Sequence, residues 1–174
     1  PLPHKGVIQI TQALDMLRDC KRKPLMLLVG GHQEDPYVRS IVDTGTGHVI
    51  HIGYQPHSLM PEFLAASDCV ALPQLPGHYA QAQVPAKVFE ALAMGKPVVA
   101  SQVSDLPEIV DGCGLTFEPG DLEGLANALR KLLLDEELFA NFSSRAREKA
   151  VNLYSWDAME KILLRVFPLD TSGQ

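Results

Sequence analysis

Short, unbroken apolar runs that alternate with stretches of helical period constrain this chain more than any other feature. Leu25-Met26-Leu27-Leu28-Val29 stops at Gly30-Gly31, Val49 to Ile52 stops at Gly53, and Cys69 to Leu72 stops at Pro73. Val98-Val99-Ala100 and Gly114 to Phe117 complete the series. Runs this short, with no polar alternation, read as strands buried on both faces, the pattern of a parallel sheet. The segments between them repeat at three and four residues. Val7, Ile8, Ile10, Ala13, Leu14 and Leu17 predict a helix from about Lys5 to Cys20, with the basic end Lys21-Arg22-Lys23 suited to its negative pole. Asp35-Pro36 opens a second helix that stops at Gly45, the acid as cap and the proline in the first turn. Ser58 to Ala66, Pro85 to Met94 with Gly95 as stop signal, and Asp105 to Val110 follow, and Pro73 to Val84 reads as a long loop. From Asp121 onward the chain reads as helices over Leu122 to Leu134, Glu136 to Leu153 and Ser155 to Phe167, then a polar, frayed tail from Pro168 to Gln174.

Parallel strands joined by helices need right-handed crossovers that cover the sheet on both faces. The expected fold class is therefore α/β: a Rossmann-like doubly wound parallel sheet with helices on both faces and further helices at the C-terminus. Residues 1–153 are expected to form the sheet domain, and 154–174 a C-terminal helix and tail. Ligands in such sheets lie at the carboxyl ends of the strands. The loops after Val29, Ile52, Leu72 and Ala100 are accordingly the places to look.

Composition removes several classes. A chain of 174 residues with 46% hydrophobic side chains can bury roughly 70% of its unfolded surface, which excludes intrinsic disorder. A net charge of −6 with only 15 scattered Lys and Arg argues against a nucleic-acid backbone as partner. No apolar run approaches the ~20 residues of a membrane span. Cys20, Cys69 and Cys113 are odd in number with no CxxC, so they read as small core residues in a reducing, cytoplasmic compartment. Trp156 and Phe167 read as packing residues of the last helix. Gly45-Thr46-Gly47 is a lone G-x-G that reads as a turn. Neither G-x-G-x-x-G nor a Walker loop occurs, and no Asp-x-Asp is present to hold a divalent metal under a diphosphate. His48 and His51 stand three apart on a strand and point to opposite faces, so no zinc site is expected.

What remains is the block from Gln81 to Ser101. A polar loop, Gln81-Ala82-Gln83-Val84, delivers the N-terminus of a helix with Pro85 in its first turn to the carboxyl edge of the sheet. Free backbone N–H groups at Val84 to Lys87 make that an anion site. Lys87 and Glu90 share a side of the helix, and the Glu90 carboxylate there suits the vicinal hydroxyls of a ribose. A solvated Lys–Glu pair fits the same spacing.

This block, followed by Leu106-Pro107-Glu108-Ile109-Val110, Gly112, Gly114-Leu115, Glu118-Pro119-Gly120-Asp121 and Leu125-Ala126, resembles the donor-binding half of retaining GT-B glycosyltransferases, family four. The likeness runs in order along nearly the whole chain. His4-Lys5-Gly6-Val7 is similar to the family's Lys-Gly helix opening, and Val49 to Tyr54 to its nucleotide-base loop. Tyr154-Ser155-Trp156 is similar to the turn into its final helix. The resemblance implies one half of a GT-B fold that transfers a sugar from a nucleotide-sugar donor to an acceptor hydroxyl with retention, without an essential metal or other cofactor.

Residue by residue, the resemblance makes Lys5 the contact to the donor diphosphate and Glu90 the holder of the ribose hydroxyls. Tyr54 falls beside the base. The family's first glutamate lies eight positions before the second, where this chain has Ala82. Sugar recognition then passes to Gln81, Gln83 or the amides of Val84, Pro85, Ala86 and Lys87, of which Pro85 offers only its carbonyl. The resemblance also implies a strand ahead of Lys5, and an N-terminal domain that brings a glycan or lipid-linked acceptor, with peripheral membrane association of the whole protein. The donor-binding half alone is expected to bind nucleotide and turn over little. Two other readings stay open on the residues: a GT-B epimerase or phosphorylase, and a non-catalytic nucleotide-sugar-binding domain.

Overall fold

The strands form where the apolar runs predict them, but of these only Val98–Ser101 is buried throughout; Met26–Val29 alternates between buried and half-buried, and Ile50 is half exposed. In a computed structural model that describes residues 2–45 and 47–167, β1 (Met26–Val29) pairs in parallel with β2 (Val49–Gly53). β3 (Val70–Leu72), β4 (Val98–Ser101) and β5 (Gly114–Phe117) form a second parallel set in the order β3-β4-β5. The expected single sheet is thus two sheets among the described residues, because β1 and β3 are not hydrogen-bonded to each other. The strand implied ahead of Lys5 and the polar tail after Phe167 lie outside the described residues, as does Thr46 of the lone G-x-G.

β4 is fully buried, and its side chains divide between two cores. Val99 packs with Ala13, Leu14, Leu17, Leu28, Ile41, Phe117, Leu125 and Leu129. Val98 and Ala100 pack with Val88, Leu92, Leu106, Ile109, Val110 and Ala146. Since neighbouring strand residues point to opposite faces, helices cover both faces of the sheet. The first core is closed by α1 (Val7–Asp15), α2 (Pro36–Thr44) and α7 (Leu122–Leu134). The second is closed by α5 (Lys87–Ala93), α6 (Leu106–Val110) and α8 (Glu136–Leu153). Leu125, Leu129 and Leu132 line one stripe of α7, and each contributes about 1.5–3 kcal/mol of burial.

Side chains cap the start of four of the nine described α-helices. The Asp35 carboxylate accepts from the amides of Tyr37 and Val38, with Pro36 in the first turn, as the sequence reading requires. Asp121, Asp135 and Ser155 cap α7, α8 and the last helix, α9 (Trp156–Val166), in the same way. α5 ends on a Schellman motif: Lys96 N–H donates to Ala91 O and Gly95 N–H to Leu92 O, with Gly95 at φ 64°.

Four expectations need correction. The helix expected from Lys5 begins as a 3-10 turn, Pro3–Lys5, which Gly6 breaks at φ 64° before α1 starts. The helix expected from Ser58 is preceded by a 3-10 turn, His57–Leu59, so that α3 spans Met60–Ala66. The loop expected from Pro73 to Val84 contains a helix, α4 (His78–Ala82), seated by the buried Ala80. Trp156 and Phe167, expected to pack, are 90% and 70% exposed, because α9 meets α8 without burying any of its own described side chains. No described helix is long and apolar enough to cross a membrane.

Candidate functional site

The carboxyl ends of β1, β2 and β3 and the start of the chain come together at one rim. Pro3 starts the 3-10 turn, and Gly6 closes it by donating its N–H to Pro3 O at 3.0 Å. Two features require glycine there. Its φ of 64° lies in the left-handed region, and a methyl group on its Cα would overlap the backbone carbonyl of Pro73, at the end of β3. His4 O accepts from Leu75 N–H at 3.0 Å, so residues 3–6 strap across the end of β3.

The strap delivers Lys5. Its ammonium donates to Gln74 Oε1 at 3.1 Å and to Gln83 Oε1 at 3.4 Å, partners 69 and 78 residues away. Both acceptors are neutral amides, and Lys5 makes no ion pair among the described residues. Its charge is therefore oriented but not neutralised. Gln74 is 2% exposed, and its Nε2 has no hydrogen-bond partner among the described residues.

Gln83 ends α4 in extended backbone, and Val84 and Pro85 carry the chain into α5. The helix spans Lys87–Ala93 and is shorter than the expected Pro85 to Met94, because Ala86 caps it without a side-chain bond. Val88 is the first to donate back, to Pro85 O at 3.0 Å, which leaves the Ala86 and Lys87 amides at the exposed open end. Val84 is half-buried against the second core, and Pro85 is buried.

Glu90 sits one turn in, with its side chain 38% exposed. It does not pair with Lys87. Its Oε1 lies 3.4 Å from His57 Nε2, in the 3-10 turn after β2, and this contact ties the carboxyl end of the first sheet to α5, which connects β3 and β4 of the second. Tyr54, on the same loop and 68% exposed, holds its ring 4.7 Å from that of His32 on the loop after β1. His4 stacks on Tyr79 of α4 at 5.8 Å. Ala82 is exposed at the end of α4 and brings no polar group to the rim.

The structure thus joins Lys5 to Gln83 and, separately, Glu90 of α5 to His57, while Tyr54 pairs with His32 and Lys87 is exposed. It adds Gln74 and His57, which sequence reasoning missed. A buried glutamine in a Pro-rich loop carries no periodic signal, and His57 follows a proline among ordinary loop residues.

The other titratable groups serve the fold. His48 Nδ1 lies 3.3 Å from Pro24 O, and His51 Nε2 lies 3.2 Å from Gly30 O. Among the described residues no three His, Cys, Asp or Glu side chains gather as metal ligands. Cys69 keeps some surface as a residue, yet burial pushes its thiol up to about 12, with the Asp68 carboxylate adding to the shift. Burial also raises the buried Cys113 thiol. A surface depression of about 690 Å³ lies between α7 and α8 against Arg130, Lys131 and Glu136 and shares no residue with the rim.

Comparison with known proteins agrees with this architecture. The family model described as glycosyl transferases group 1 matches residues 1–135. An MMP alpha-(1->4)-mannosyltransferase of Mycolicibacterium hassiacum is 29% identical over 171 residues, covering 95% of this chain and 40% of that protein. The O-antigen chain mannosyltransferase B of Escherichia coli is 28% identical over 159 residues, covering 89% and 40%. The chain thus spans about two fifths of the length of these relatives. Among solved structures, Anabaena HepE in complex with UDP superposes with a TM-score of 0.77 at 23% identity, over 95% of this chain and 45% of that one. A C-terminal domain of a group 1 glycosyl transferase from Francisella tularensis gives 0.74 at 18% identity, over 90% and 83%. The chain belongs to the glycosyl transferases group 1 family and has the fold of the C-terminal domain of a GT-B glycosyltransferase.

Proposed function

We propose that this chain is the donor-binding half of a retaining glycosyltransferase that moves a hexose from a nucleotide sugar to an acceptor hydroxyl. One observation carries the reading above the rest. Lys5 is led by its own strap to the carboxyl rim, and its ammonium is oriented there by two amides that leave its charge free. A fixed, un-neutralised cation at the carboxyl end of a parallel sheet matches the chemistry of a diphosphate.

In this reading Lys5 and the amides of Ala86 and Lys87 hold the diphosphate, and Glu90 accepts hydrogen bonds from the pentose hydroxyls. His57 marks the position those hydroxyls take, since its Nε2 already lies 3.4 Å from a Glu90 carboxylate oxygen. Tyr54 and His32 flank the base. As the glycosidic bond breaks, negative charge grows on the leaving diphosphate and positive charge on the anomeric carbon. A cation already in position stabilises that leaving group without reorganisation, an effect worth a few kcal/mol where water is excluded. The reading gives this work to the chain's own groups rather than to a metal. The acidic net charge of −6 is no obstacle, because only the rim need be positive.

Relatives bear on substrate class: two of those above are mannosyltransferases, and the HepE structures contain UDP, UDP with glucose, or UDP-glucose. The test is calorimetric titration of UDP, GDP and ADP into the full-length protein and its Glu90→Ala variant, with release of nucleotide from the matching sugar donors. Binding of one nucleotide, weakened about tenfold by the substitution, is the expected result. Unchanged affinity removes Glu90 from the site, and binding without any sugar consumption favours a non-catalytic domain.

A further inference from the structure

We propose that Gln74 is the positioning residue for the Lys5 ammonium, a role that rests on the diphosphate reading of the rim given above. A lysine side chain has four rotatable torsions and wanders unless its end is held. Here the end is held by a side chain that cannot itself wander. Gln74 is 2% exposed, follows Pro73 at the end of β3, and donates its backbone N–H to Leu72 O at 3.0 Å. The strap then fastens on either side of it, through Gly6 against the Pro73 carbonyl and His4 O against Leu75 N–H.

The orientation of the Gln74 amide follows from chemistry. An ammonium only donates, so Oε1 must face Lys5 Nζ, at 3.1 Å, and Nε2 must face away. There it has no partner among the described residues. A buried amide with one end idle is a poor device for stability, and its retention beside Lys5 fits a residue kept for what its carbonyl holds. The neutral carbonyl matters as well. A carboxylate in the same place would orient the ammonium equally but cancel its charge before a diphosphate arrived. Gln83, exposed and at 3.4 Å, is the looser second contact.

The experiment uses the full-length protein and titrates whichever of UDP, GDP or ADP the wild type binds. Gln74→Met keeps the volume, removes the carbonyl and removes the idle donor. It is expected to lower affinity about tenfold without lowering the melting temperature. In a Lys5→Met background the same change is expected to have no further effect, since its whole action passes through Lys5. Gln74→Glu keeps the shape and adds the charge, and is expected to lose at least as much affinity as Gln74→Met. Unchanged affinity in both Gln74 variants overturns the proposal, as does an equal loss with and without Lys5. A wild type that binds none of the three nucleotides overturns the rim reading and this inference with it, whereas a wild type that binds, with indifferent Gln74 variants, overturns this inference alone.

Discussion

Gly6→Ala tests the strap that brings Lys5 to the rim, and its cost can be worked from the backbone. An alanine held at φ 64° carries about 1–2 kcal/mol of left-handed strain. Its methyl group also overlaps the Pro73 carbonyl, and since both groups are fixed to backbone no rotamer change relieves the contact. The strap must lift, which gives up the 3.0 Å bond between Leu75 N–H and His4 O, a further loss of about 1 kcal/mol. The sum, about 2–3 kcal/mol, is small beside the roughly 5–15 kcal/mol of a typical domain. The fold is therefore expected to survive with the strap detached. Lys5, the residue before the substitution, then loses its two amide contacts, and a charge-assisted contact to phosphate is lost with them. Taking the lower end of such contacts, because Lys5 is only half-buried, nucleoside-diphosphate affinity should fall about tenfold. Calorimetric titration beside a circular-dichroism melt reads both quantities. A variant that melts a few degrees lower yet binds UDP or GDP as tightly as the wild type refutes the idea that the strap places Lys5.

Two further outcomes concern the core. Leu92→Ala, at a side chain with no exposed surface in the second core, should cost about 2–5 kcal/mol in urea unfolding, and a loss under 1 kcal/mol would contradict the packing described. The Cys69 thiol stays protonated in the fold up to about pH 12, while in the unfolded chain it ionises near its ordinary value of 9.0, so the unfolded state binds fewer protons between those limits. Stability should then be unaffected by this group below pH 9 and fall as pH rises beyond it, by at most about 1.4 kcal/mol per pH unit; Cys69→Ala should flatten that part of the pH profile, and an unchanged profile counts against the buried thiol.

Much of the scaffold was legible because strands packed into the core write themselves into sequence as unbroken apolar runs, although only β4 is buried on both faces. Leu25 to Val29 and Val98 to Ala100 mark β1 and β4 to within a residue. Helix ends with chemical signals were equally plain, as Asp35-Pro36, Asp121 and Gly95 show. Elements without such signals were hidden. α4 has no capping side chain and a single buried residue, Ala80, and five residues are too few to show a period. Gly6 divides the Pro3–Lys5 turn from α1, and the apolar spacing, which begins only at Val7, reports the buried face of α1 and not the turn before it. The site was legible in part. Lys5, Gln83 and Glu90 entered through the resemblance, and the structure joins Lys5 to Gln83 across 78 residues and Glu90 to His57 across 33, separations that no local pattern encodes. Gln74 and His57 depend on tertiary placement alone.

The most direct measurement is a crystal structure of the full-length protein with UDP or GDP bound. The account predicts diphosphate oxygens within hydrogen-bond distance of Lys5 Nζ, with that ammonium still on Gln74 Oε1, and the pentose hydroxyls on the Glu90 carboxylate. A nucleotide seated elsewhere, or one at the rim with its diphosphate turned away from Lys5, would contradict it.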